Sequence, residues 1–415
     1  MSTRPADNDK HPDYRTACTA AAGLAAATLL ALLPLPVWPF TDLPNHLTAA
    51  LVYKCWHIPD CPLADTFRST ANVLKPGIVH IVVPALFPSV QWGARLCFVL
   101  YAMSLPVLLL TVTRRCGGDP WIALLGVTLI FNYNATWGFL GFTLGIPLLL
   151  ILMLAHGRAL RRPAFPVIAA LTGLFVVLYW AHALLFLFAV LCYITVESLH
   201  WRLRRGVQHV TAVVPLLPAG VLFVVWLINT GAFKGTSTFA FLSSYYRDEY
   251  LGSLLWRAGH LLNNYYQLAP GRAGLLLAAV FTGGILGPLL IALRHRNLSG
   301  SPRTFTYRRV TAVMTFCALG CYALLPDRLP GQWYLAQRYV VLAAAGAVVG
   351  AACLIPPRWR KLMRAWACLL AVAYSALWIH YVADFGDFVA PFNESFVSGP
   401  DMSQATMAAI IDNTD

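Results

Sequence analysis

The chain has 415 residues, of which 59% are hydrophobic and 11% charged, with a mean hydropathy of +0.65. No water-soluble domain of this size hides so much apolar surface, and several runs exceed the ~18 apolar residues that a spanning helix needs, lengths that also exclude a β-barrel. The net charge of +13 does not point to nucleic acid, because most arginines stand in short clusters between apolar runs, as membrane topology demands.

Taken in order, residues 1–15 form a polar tail, expected on the cytoplasmic side. The run that follows is too long for a simple signal peptide and is read as an uncleaved first span, about Thr16–Pro36. A first outer loop covers 37–90. In it, Pro44–Trp56 has Leu47, Ala50, Leu51 and Trp56 at helical spacing and reads as an interfacial amphipathic helix. Pro76–Phe87 reads as a second, shorter interfacial segment. Span two is about Gln91–Val112, ending at Arg114-Arg115. Spans three and four (about Trp121–Asn132 and Gly138–Ala155) make a hairpin with its tip at Asn132–Trp137. Spans five and six turn tightly around Tyr179–His182. Span seven, about Val210–Asn229, leads to a second long outer loop at 231–272. Span eight ends at Arg294, and span nine exits near Pro326. Span ten follows Arg338, and span eleven ends near Tyr381, leaving an outer tail at 384–415.

The expected architecture is an all-α polytopic membrane protein with about eleven transmembrane helices and a membrane domain over 16–383. On this count roughly two-thirds of the Lys and Arg fall inside and a similar share of the acids outside. No internal repeat suggests a transporter built from two related halves.

The stretch Trp38-Pro39-Phe40-Thr41-Asp42-Leu43-Pro44-Asn45-His46 crowds a carboxylate, an amide and an imidazole at the end of the first apolar run. Such groups at a bilayer edge point to a working site. Asp42 and His46 are four apart, so they share a face if the turn is helical. Asp42 is the candidate base or metal-binding carboxylate, with His46 positioning it. The competing reading is that Asp42 only caps the helix. Arg338 and Lys75 are the candidate phosphate-binding cations, with Arg68, Arg247, Arg257 and Arg272 as further outer cations. Snorkelling to headgroups is the alternative for each. His182, Asn132, Asn134 and Trp137 lie at the same outer level and either line a cavity or satisfy turn hydrogen bonds. Tyr245, Tyr246, Tyr265 and Tyr266 serve as a sugar platform or as interfacial belt. Asp248-Glu249 is read as a solvated turn, and Glu197 as a partner of Arg202 or Arg204. Cys55 and Cys61 are spaced to close a disulfide in an oxidising compartment. No Cys-x-x-Cys pair or His/Cys cluster suggests zinc.

Thr41-Asp42-Leu43-Pro44-Asn45-His46 resembles the Asp-x-Pro-Asn-His signature of a bacterial group within the GT-C class of membrane glycosyltransferases. Tyr133-Asn134-Ala135-Thr136-Trp137-Gly138-Phe139 is similar to a second stretch of that group. The topology resembles the class over most of the chain. The resemblance implies transfer of a sugar from a polyprenyl-phosphate carrier to an acceptor, outside the cytoplasmic membrane of a bacterium. The N-terminus would be cytoplasmic and the C-terminus periplasmic. Asp42 takes the place of the catalytic carboxylate, while Asn45, Lys75, Arg338, His182, Trp137, Arg68 and Tyr245 are the candidates for substrate contact. The acceptor and the sugar stay open. So does any divalent cation, since no Asp-x-Asp or Glu-x-Asp pair stands in the second outer loop. The rival class is a lipid or small-solute transporter, which should carry ionisable or helix-breaking groups near the bilayer midplane.

Overall fold

The computed structural model describes residues 12–397, apart from 36–37, 57, 59–60, 62, 64–66, 68–71, 202–206, 231–240, 260–270, 295–301 and 330–331. The described residues are helical save for one short antiparallel pairing of Arg328–Leu329 with Gln332–Trp333. Seven helices are long and apolar enough to cross a membrane, and three shorter apolar helices accompany them.

The first helix, α1 (Pro12–Leu32), packs through Ala17, Ala21 and Ala25, all fully buried. Small side chains at four-residue spacing let backbones approach closely, as membrane helix packing requires. Then come α2 (Leu43–Cys55), the short α3 (Val79–Ala85) and α4 (Val90–Arg115). In α2, Ala50 faces inward, but Leu51 and Trp56 are exposed, which corrects the single apolar face expected for this segment.

The segment expected as span three is a 3-10 helix, Ile122–Leu129, with every residue buried. At ~2.0 Å per residue instead of ~1.5, it reaches farther than an α-helix of equal length. Polar groups fasten both ends. Asp119 Oδ1 accepts from Trp121 N at 3.0 Å, and Asn132 Nδ2 donates to Leu129 O at 2.7 Å. The single-turn α5 (Tyr133–Thr136) forms the hairpin tip and leads to α6 (Leu140–Ala159). Helices α7 (Phe165–Ala181) and α8 (Ala183–His200) are joined by one extended residue, His182. The chain continues through α9 (Val207–Val213), α10 (Leu217–Asn229), α11 (Tyr250–Gly259), α12 (Gly271–Arg294), α13 (Pro302–Leu324) and α14 (Val340–Leu354).

The last helix, α15 (Pro357–Val397), does not stop near Tyr381 as expected. The helix runs on through Gly386 and Pro391 despite their low helix propensity, and His380 pairs with Asp384 one turn on, at 3.4 Å. The expected outer tail therefore begins as helix, and its residues after 397 lie outside the described ones.

The ends of the bundle differ in chemistry. At one end, Arg364 meets Asp119 at 2.8 Å and Asp13 at 3.6 Å, and Arg308 donates to Cys116 O at 2.8 Å. This end also carries Arg114 and Arg115. Glu197 sits in α8 near its end and pairs with His156 at 2.8 Å; Arg202 and Arg204, its expected partners, lie outside the described residues. A buried carboxylate takes the partner that is itself buried on the adjoining helix. The opposite end gathers Asp42, the α5 tip, His182 and Arg338.

Candidate functional site

Arg95 fixes the approach to the site. It is buried in the first turns of α4 and donates to Leu35 O at 2.6 Å, so it caps the end of the α1 region. Its guanidinium lies over the Trp38 and Trp92 rings, 5.4 and 4.8 Å from their centroids. Trp38 and Phe40 then pack on Phe98.

The turn that follows is held by another part of the chain. Thr41 N donates to Thr136 O at 3.2 Å, and Asp42 N donates to Trp137 O at 2.7 Å. The two stretches that carry the sequence resemblance are thus joined backbone to backbone. Gly138 makes the approach possible. Its φ is +79°, and a Cβ there would sit 2.7 Å from Leu43 N and 3.2 Å from Asp42 N. Gly138→Ala is expected to destabilise the fold by at least ~1–2 kcal/mol from backbone conformation alone, with the clash added. A thermal midpoint in detergent unchanged from that of the native protein would contradict this.

Asp42 stands at the N-cap position of α2, but its side chain makes no capping hydrogen bond, which corrects the capping reading. Its carboxylate instead accepts from Asn45 Nδ2 at 2.7 Å and lies 3.3 Å from His46 Nε2. Burial would raise the Asp42 pKa. The hydrogen bonds of His46 and Asn45, with the charges of His46 and Arg338, outweigh burial and hold the carboxyl below its usual range.

His80, on α3, was not singled out from the sequence, although it is the one ionisable group in the apolar stretch Pro76–Phe87. Its ring meets that of His46 edge to face, with centroids 4.5 Å apart. Gly141 leaves it room, since a Cβ there would come within 2.9 Å of His80 Nδ1. That nitrogen has no hydrogen-bond partner among the described residues. Burial, then the charges of His46 and Lys75, hold the His80 pKa down to about 3. Lys75 is thus within electrostatic reach of His80. Its loop is stitched to the α7–α8 tip by Trp180 Nε1 to Val73 O, Gly77 N to Tyr179 O and the Tyr179 hydroxyl to Leu74 O.

His182 Nδ1 accepts from Leu184 N at 3.2 Å, and its Nε2 lies 3.1 Å from Arg338 Nη1. Burial and then Arg338 push the His182 pKa well below the usual histidine value. In the neutral ring that accepts at Nδ1, the proton is on Nε2. A guanidinium only donates, so a hydrogen bond across the 3.1 Å to Arg338 Nη1 belongs to the other tautomer, in which Nε2 accepts. Arg338 sits in a 3-10 turn, Ala336–Tyr339, ahead of α14, with its guanidinium 3.9 Å from the Phe139 centroid. Asn134 Nδ2 donates to Arg338 O at 3.1 Å. Four residues earlier, Tyr334 has φ +58°, rare for an aromatic residue, and its ring lies 4.5 Å from that of Trp137. Trp137 Nε1 has no hydrogen-bond partner among the described residues.

These pKa shifts carry a sign. Between pH 6.5 and about 3 the unfolded chain binds a proton at His80 that the folded protein refuses. Stability is therefore full above pH 6.5 and is lost as pH falls through that window. Asp42 adds to the loss below the ordinary aspartate range. The thermal midpoint should drop between pH 7 and pH 4, with a shallower slope in His80→Leu. A midpoint that rises on acidification would contradict the assignment.

Other expected site residues lie elsewhere. Tyr245 is buried away from Asp42, and its hydroxyl donates to Ser253 Oγ at 2.8 Å. The Tyr246 hydroxyl donates to Leu324 O at 2.8 Å. Glu249 pairs with Arg328 at 3.4 Å. Asn132 is a turn residue, accepting from Asn134 N at 2.9 Å. Cys55 and Cys61 are bonded to each other, with Cα atoms 5.5 Å apart, and close the loop after α2. Arg68, Arg272, Tyr265 and Tyr266 are outside the residues whose side chains are described. Among the described residues no group of three or more His, Cys, Asp and Glu is arranged to hold a metal ion.

Fold and site together define a helical protein with several spans fit for a membrane and a polar cluster at one end of the bundle. No family model, curated protein or solved structure matches this chain.

Proposed function

We propose that the protein is an integral membrane glycosyltransferase that moves a sugar from a polyprenyl-phosphate carrier to an acceptor outside a bacterial cytoplasmic membrane. The observation that carries this reading is the Asp42 carboxylate at the same end of the bundle as the Arg338 guanidinium, which helps lower the Asp42 pKa and lies 3.1 Å from His182. A carboxylate near a cationic group is what in-line displacement of a phosphate leaving group needs. The resemblance of the 41–46 and 133–139 stretches to the GT-C class adds to it, because their contact gives both a role in one site.

In this reaction the acceptor hydroxyl or amine attacks the anomeric carbon and gives its proton to Asp42. The bond from that carbon to the phosphate oxygen breaks, and its electron pair leaves on the phosphate. Arg338, His182 and Lys75 stabilise the charge that develops there. Attack and departure on opposite faces invert the configuration. Asn45 and His46 orient the carboxylate.

Eleven spans remain the topology that best fits the chain. The seven long helices and three shorter apolar ones give ten, and α13 is the eleventh. With arginines at the inner end, the N-terminus is cytoplasmic, the C-terminus periplasmic, and Asp42 outside. Against the transporter reading, the buried ionisable groups described within spans, Arg95, His156 and Glu197, lie within two turns of a helix end, although Pro106, Pro147 and Pro288 stand inside spans.

The test is mass spectrometry of glycolipids after purified protein in vesicles meets polyprenyl-phosphate sugars and cell-envelope acceptors. Consumption of the carrier-linked sugar with a new glycosylated product supports the reading. Movement of the intact carrier across the bilayer with no product would favour transport.

A further inference from the structure

Helix α11 is strongly two-sided. On one side Arg257 is fully buried, and this side closes the end of α13. The final carbonyls of a helix have no partner within it. Here Arg257 takes Tyr322 O and Leu325 O, Tyr250 takes Ala323 O, and Tyr246, just before α11, takes Leu324 O. Tyr322 returns a bond from its hydroxyl to Arg257 O at 2.9 Å. A cation there also suits the helix dipole. Asp327 joins the lock through Arg257 Nε at 3.4 Å and the Ser253 hydroxyl. It also accepts from Gln337 Nε2 at 3.0 Å, next to Arg338. The level of α11 is thus fixed at the end of α13, and its tilt is fixed by several bonds along its length.

On the other side, Leu251 is 67% exposed, Leu255 65% and Trp256 46%. Helix α13, on which α11 is fastened, also exposes large apolar side chains, Phe316, Leu319 and Leu324. A short helix with apolar residues on one side, pinned at the level where a spanning helix ends, matches the interfacial helices that lie in the plane of a bilayer.

We infer that α11 lies in the outer leaflet interface, with Leu251, Leu255 and Trp256 inserted among phospholipid acyl chains. Its partner on that side is lipid, and its other side holds the segment that carries Arg338. The inference stands whether or not the protein transfers sugars.

A photoreactive benzophenone amino acid in place of Leu251, or separately of Leu255, tests it. The full-length protein is placed in vesicles of phosphatidylethanolamine and phosphatidylglycerol, irradiated and analysed by mass spectrometry. The same residue in place of Val221, which is 60% exposed on an apolar span, sets the standard. Lipid adducts within about threefold of that standard are expected. Yields at least tenfold lower, or adducts to a second copy of the chain, would overturn the inference. Both positions are exposed, so folding should survive, and an unchanged thermal midpoint checks that it does.

Discussion

Asp42→Asn should lower sugar transfer by about 10²–10⁴-fold, the range over which a general base acts, while leaving expression and thermal stability close to native. The substitution keeps size and shape. Asp42 N still reaches Trp137 O, and the new side chain oxygen still accepts from Asn45. What is lost is the negative charge, and with it the group that accepts the proton. Mass spectrometry of the glycolipid product from vesicles measures the effect. Native-like turnover by Asp42→Asn would falsify the base assignment. Collapse of the fold would instead show that Asp42 serves structure.

Arg338→Ala should weaken binding of polyprenyl phosphate at least tenfold, and transfer by about 10²–10³-fold, the cost of removing one donor from a developing anion. Arg338→Lys should recover only part of this. A lysine keeps the charge but lacks the planar fork that lies over Phe139 and faces His182. The carrier lipid without its sugar is the ligand to titrate, because it isolates the anion site from the chemistry. There is a linked effect on Asp42. Arg338 helps lower its pKa, so its removal raises that pKa and moves the acid limb of residual activity to higher pH. Equal lipid-phosphate affinity in the native protein and in Arg338→Ala would remove the arginine from the site.

The sequence made the spans legible because long apolar runs between arginine clusters have few other physical solutions. The turn at 38–46 was legible for a related reason, since Asp42, Asn45 and His46 are costly at a bilayer edge. Periodicity reports which side of a helix is buried and is silent about which distant group it meets. Hence Tyr246 reads as belt or platform, whereas its hydroxyl, with that of Tyr250, closes the end of α13. Hence also His80 passed unnoticed inside an apolar stretch, its importance residing in Gly141 and His46 beside it. The 3-10 form of Ile122–Leu129 was illegible because its residues, buried on every side, show no period at all.

The bond from Asp42 N to Trp137 O has a consequence for biogenesis. A ribosome releases Asp42 long before it releases Trp137, so the nascent chain passes through a stage with an acidic turn and no pocket around it. The turn gains this backbone partner only when the hairpin tipped by Asn132–Trp137 is made, and His182 and Arg338 join it later still. A chain stalled after α4 would carry the reactive group and be inert.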